Sequence, residues 1–130
     1  MVTYELNFEI DDLVLSSLHS AAFGQANSVS PWQANLARHS VCWVGASEQE
    51  MLVGFVHASG DGGRHAFVLD TVVHPERQGQ GIGSELVERL ALAVRDLGCE
   101  WLHVDYEDHL AEFYRLACGF SHTAAGLRRL

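Results

Sequence analysis

One stretch constrains the fold more than any other: "HPERQGQGIGSELVERLALAVRDLG", His74 to Gly98. Gly79, Gly81 and Gly83 fall at alternate positions and run straight into a segment whose Ile82, Leu86, Leu90, Ala93 and Leu97 recur at helical spacing. Charged residues occupy mostly the other faces, and Gly98 ends the pattern. The apolar run "AFVLDTVV" precedes this stretch and "CEWLHVDY" follows it. Strand, glycine loop, helix, strand is a βαβ unit, whose strands lie parallel with a right-handed crossover. The chain therefore reads as an α/β fold.

A helix N-terminus leaves backbone N–H groups unpaired at the positive end of its dipole. Glycines placed directly before it remove the Cβ atoms that would keep a phosphate away, so the loop reads as an anion site. Known spacings narrow the ligand. The dinucleotide fingerprint starting at Gly79 needs glycine where Ser84 stands, and starting at Gly81 it needs glycine where Leu86 stands. The P-loop needs a Gly-Lys pair that this loop lacks, so NAD and ATP both lose ground.

Elsewhere the alternation of residues 3–9 predicts a first strand, and Asp11 or Asp12 caps a helix carrying Leu15, Leu18, Ala22 and Phe23 up to Gly24. "SPWQANLARHS" predicts a second short helix. "VCWVGA", "MLVGFVHAS" and "HAFVLDTVV" predict strands, the first two joined as a hairpin and the third covered on both faces. "LAEFYRLACG" reads as a helix closed by Gly119, and "FSHTAAGLRRL" as a last strand. No repeat or linker interrupts this order.

At 130 residues, 48% of them hydrophobic, the chain suits one domain with one core. The start at Met1 is alternating rather than basic and apolar, and no apolar run reaches the ~20 residues that span a bilayer, which leads us to expect a cytoplasmic protein. Cys42, Cys99 and Cys118 form no CxxC pair, so neither a disulfide framework nor a cysteine zinc site is indicated. A formal net charge of −9 opposes nucleic acid and anionic membranes and favours a cationic or amine partner.

Gln78-Gly79-Gln80-Gly81-Ile82-Gly83 resembles the Q/R-x-x-G-x-G/A signature of the GNAT superfamily of acyl-CoA-dependent N-acetyltransferases. The resemblance extends through "VVHPERQ" before the loop and to "FYRLACGF", Phe113 to Phe120. It covers the C-terminal half in detail and the first half only in the order of its elements. It implies a mixed sheet of about six to seven strands with about four helices, and parallel strands that splay to admit the cofactor. Acetyl-CoA would be the co-substrate, with no metal, and a small-molecule or peptide amine the acceptor. The resemblance further implies that backbone groups of Val72 and Val73 pair with the pantetheine. Amides from Gln78 through Gly79, Gln80, Gly81 and Gly83 to Ser84 would hold the pyrophosphate. An oxyanion donor is then expected at a backbone N–H near Val73.

Tyr114 matches the family tyrosine that protonates the leaving thiolate; the alternative is an amphipathic wall residue. Asp70, the sole carboxylate in an apolar strand, is the first candidate for a base, with a pKa raised by desolvation; a structural carboxylate bound to amides is the alternative. Seven residues before Tyr114 many relatives carry asparagine, where this chain has Glu107, followed by Asp108 as a helix cap. His74 and His103 read as cleft residues, and Trp32 as a residue that could line an acceptor pocket. Eight histidines show no metal-ligand spacing. A non-catalytic acyl-CoA-binding sensor is the alternative function, and the "LRRL" end offers an edge for a homodimer.

Overall fold

The computed structural model describes residues 1–130. Five strands form one mixed sheet in sequence order: β1 (Val2–Leu6), β2 (Cys42–Glu48), β3 (Met51–Gly60), β4 (His65–Val73) and β5 (Trp101–Val104). β1 to β4 pair antiparallel, and β4 and β5 pair parallel across the helix α3 (Ile82–Asp96). The expected βαβ unit is therefore present. Helices α1 (Asp12–Ala22) and α2 (Trp32–His39) occupy the order of elements expected of the first half.

Local chemistry sets these boundaries. The Asp11 carboxylate accepts from the amides of Leu13 and Val14 at 2.9 and 3.1 Å, which caps α1. Gln49 and Glu50, at φ 51° and 66°, make the tight turn between β2 and β3, whose twist matches that of the strands. β1 stops earlier than residue 9 because Asn7 turns at φ 54°, exchanging bonds with the Trp43 backbone.

Two apolar layers sandwich the sheet. Under α3, Ile82, Leu86, Leu90 and Val94 pack on Val44, Val56, Ala66 and Val68; on the opposite face Leu15, Leu18 and Leu36 pack on Phe55 and Val72. The second layer is incomplete. Phe67 and Leu69 of β4 stay 42% and 43% exposed, so this strand is covered throughout only on its α3 face, contrary to the reading of its apolar run.

The sheet has five strands rather than six or seven because residues 121–130 form none. The "TAAG" run there is poor in strand formers, and β5 ends the sheet. The helix expected from "LAEFYRLACG" is a π-helical turn, Phe113–Ala117, preceded by a 3₁₀ turn, Asp108–Leu110. Asp108 makes no capping bond through its side chain, nor does Glu107, which is exposed and lies 3.4 Å from His109.

Candidate active site

The glycine loop lies where β4 hands over to α3. Gly79 and Gly81 sit at φ 79° and 82°, a left-handed backbone that other residues enter only with strain, and a Cβ on either would meet nothing within 4 Å. Gly81 caps α3 without any side-chain bond. None of the backbone N–H groups from Gln78 to Ser84 donates to another protein group, and the first bond of the helix runs from Glu85 N to Gly81 O. The Ser84 hydroxyl donates to that same Gly81 carbonyl at 3.1 Å. Gly83 differs from its neighbours: a Cβ there would stand 3.1 Å from Phe113 Cζ, so its bareness admits the Phe113 ring. This contact ties the loop to the "FY" segment.

Beside the loop the two parallel strands part. β5 pairs with β4 only from His65 to Val68, whereas β4 runs on to Val73. His74 N donates to Val53 O across the Gly54–Val73 pair, which makes that pair the non-hydrogen-bonded kind. Backbone groups of Val73 therefore point away from β3 into the gap, and those of Val72 point to β3. The Gln78 side-chain amide donates to the Val73 carbonyl at 3.2 Å. Of the two valines, only Val73 offers its backbone to the gap.

A β-bulge interrupts β4 at its middle. Phe55 pairs with Val72 and His57 with Leu69, so Asp70 and Thr71 together oppose the single residue Val56. Asp70 takes φ 54°. In a regular strand Asp70 would point opposite to Leu69, into the α3 core; the bulge turns it so that both line the same cavity. That cavity, about 470 Å³, is bounded also by Trp32, Asn35, His39, Ser40 and His57.

Two histidines clamp the carboxylate: His19 Nε2 stands 3.0 Å from Oδ1 and His57 Nε2 2.8 Å from Oδ2. His57 Nδ1 in turn lies 2.6 Å from Ser40 Oγ. Burial, the strongest influence, pushes the Asp70 pKa up, but the bonds and charges of His57 and His19 together outweigh it and hold the carboxyl below its ordinary value. The expected upward shift is thus reversed.

On the other side of the bulge, Thr71 approaches Tyr114. The phenol is buried, stacked on Tyr106 at 5.2 Å and edge-on to Phe113 and Phe120. Burial pushes its pKa up, with the Thr71 hydroxyl acting against this, so Tyr114 carries its proton at neutral pH. The contact is misaligned, since the buried Thr71 Oγ1 forms no hydrogen bond of good geometry. The structure thus brings Tyr114 and Asp70 to the two sides of one bulge.

Other expected residues lie elsewhere. His74 accepts from Glu76 N and caps the 3₁₀ turn Pro75–Arg77. His103 pairs with His65 at 2.7 Å and stacks on Phe67, at the end of β4 far from the bulge. No group of three or more His, Cys, Asp or Glu side chains is arranged to hold a metal ion. Nothing in the sequence singles out His19, Ser40 or His57 for this cluster. They meet Asp70 or one another across 51, 13 and 17 residues, so no spacing betrays them. The isolated carboxylate in β4 was the one available signal.

A bare helix N-terminus beside parting parallel strands sets unpaired backbone amides next to an open strand edge in an α/β protein. Residues 9–120 match the Acetyltransferase (GNAT) family, and the chain belongs to that family. It is 37% identical over 84 residues to a histone acetyltransferase of Glycine max, covering 63% of this chain and 35% of that relative. It is 32% identical over 128 residues to the chloroplastic GCN5-related N-acetyltransferase 3 of Arabidopsis thaliana, covering 91% of this chain and 52% of that one. The chain therefore spans about a third to a half of the length of these curated relatives. Among solved structures, a GNAT-family acetyltransferase of Streptococcus pneumoniae superposes with a TM-score of 0.79 at 25% identity, covering 100% of this chain and 98% of that one. Glucosamine-6-phosphate N-acetyltransferase of Arabidopsis thaliana shares the fold, with a TM-score of 0.76 at 17% identity over 98% of each chain. No helix is long and apolar enough to cross a membrane.

Proposed function

We propose that the chain transfers an acetyl group from acetyl-CoA to the amine of a small molecule or peptide, by direct attack of the amine on the thioester. The observation that carries this reading is the row of unpaired amides from Gln78 to Ser84 at the start of α3, beside the open edge of β4. A cofactor pyrophosphate suits those amides, and the empty space at Gly79 and Gly81 admits it. The pantetheine arm suits the gap, where Val73 presents its backbone once the Gln78 side chain yields the carbonyl.

Tyr114 gives a proton to the departing sulfur, a role supported by burial, which raises its pKa and keeps it a donor at neutral pH. The acceptor occupies the cavity beside Asp70, with Trp32 as a wall. An alkylamine with a pKa near ~10 is about one part in 10³ neutral at pH 7, so a nearby base is required.

The thermal midpoint with acetyl-CoA, against NADH and ATP as controls, tests the binding half. Acetyl-CoA at 100 times Kd should add about 2.7 kcal/mol and raise the midpoint by roughly 5–15 °C. A shift with NADH or ATP alone would overturn the site. CoA release over an amine panel tests the chemistry; binding without amine-dependent release leaves an acyl-CoA sensor instead.

A further inference from the structure

Both oxygens of Asp70 are engaged, and a carboxylate only accepts, so His19 and His57 each present Nε2–H to it. Nδ1 is then the lone-pair nitrogen of both rings. On His57 that lone pair is occupied, because the Ser40 hydroxyl donates to it at 2.6 Å. Ser40 itself has no nearby free amide to stabilise an oxyanion, since Ser40 N donates to Leu36 O and Val41 N to Ala58 O. This arm is a brace and not a nucleophilic pair.

His19 differs from His57 in two respects. Its Nε2 bond to Asp70 is its single protein hydrogen bond, leaving Nδ1 free, and its side chain is 23% exposed against 9% for His57. Its ring lies 5.1 Å from that of Trp32, which walls the acceptor cavity. The bulge that turns Asp70 out of the α3 core is what makes the His19 contact, and it does so at a left-handed φ of 54°.

We propose that His19 is the base that takes the acceptor's proton, with Asp70 as the positioning residue that fixes its tautomer and His57–Ser40 as the brace that fixes Asp70. The proposal rests on the acetyl-transfer reading above and moves the role of base from Asp70 to His19. Of three protons on the incoming ammonium, His19 Nδ1 takes one and gives it to water. The neutral amine then forms the C–N bond as the C–S bond breaks; Tyr114 gives the leaving sulfur a proton, the second amine proton restores the Tyr114 phenol, and the third stays on the amide. A carboxylate with both oxygens engaged by N–H donors is a weak base, whereas the His19 ring keeps a lone pair free at Nδ1. The titratable group that faces the His19 ring is Asp70 of β4, with His57 of β3 on the other oxygen of the same carboxylate; Phe23 and Trp32 are its aromatic neighbours.

Nitrogen NMR of the histidine rings tests the geometry without an acceptor. His19 should carry its proton on Nε2 at neutral pH and lose that preference in Asp70→Asn, where the amide satisfies only one of the two rings as before. A proton fixed on Nδ1 in the unaltered chain overturns the assignment. The chemistry is tested with ethylamine and trifluoroethylamine, of similar size, the second largely neutral at pH 7. His19→Gln should lower kcat for ethylamine by about 10²–10⁴-fold, spare trifluoroethylamine, and leave the KM for acetyl-CoA unchanged. Equal losses with both amines overturn the base role. An unaltered chain whose CoA release no amine increases overturns the acetyl-transfer reading itself, a distinct failure from a working enzyme indifferent to His19.

Discussion

The two sides of β4 solve their chemical problems with different parts of the chain. Toward α3, the loop works through backbone groups that are consecutive in sequence, Gln78 to Ser84, freed by glycines that hold left-handed conformations. Toward α1 and α2, a cluster at the cavity joins side chains far apart in sequence: His19 of α1, Ser40 just after α2, His57 of β3 and Asp70 of β4. The first kind of site is local, and under the proposed function it would take the cofactor pyrophosphate. The second is assembled only by folding, and it can change with the acceptor while the loop stays the same.

The largest expected effect isolates the backbone side. Gly81→Glu places a side chain at φ 82°, strained by roughly 1–2 kcal/mol, and a negative charge where the pyrophosphate would sit. The acetyl-CoA-dependent rise in thermal midpoint should vanish, while the tautomer of His19 stays as it was. A full rise in this variant would mean that the phosphate lies elsewhere.

Next in size is Tyr114→Phe, at the junction between the two sides. The ring contacts to Tyr106 and Phe120 survive, so stability should change by no more than about 1 kcal/mol, the worth of one misaligned hydroxyl contact. Steady-state kcat should fall by about 10²-fold or more, with acetyl-CoA affinity retained. An unchanged kcat removes Tyr114 from proton transfer and leaves it a wall residue.

The same division explains what could be read before folding. The βαβ unit, the loop and the Asp11 cap are encoded within a few residues of where they act, and periodicity and turn chemistry expose them. The bulge at Asp70 is different. It sits at no glycine, and its one trace is the carboxylate that interrupts an apolar run; instead of pointing into the core, Asp70 faces two histidines that lower its pKa. The missing last strand is a third case: Phe120 packs on the core under α3, but the residues after it lack both strand formers and a partner edge long enough to hold them.

The smallest expected effect concerns the glycine that links the sides. Gly83 has no left-handed backbone, so Gly83→Ala adds no strain of that kind and gains up to about 1 kcal/mol of helix propensity. Against this, the new methyl stands 3.1 and 3.2 Å from the Phe113 ring, and overpacking of this kind costs roughly 1–3 kcal/mol. Phe113 is edge-on to Tyr114 at 4.8 Å, so a displaced ring moves Tyr114, the proposed proton donor, with it. The thermal midpoint should drop by a few degrees, and kcat should drop while acetyl-CoA binding is retained. A midpoint that rises would mean that the Phe113 ring yields freely, in which case the loop and the tyrosine are coupled by sequence order alone.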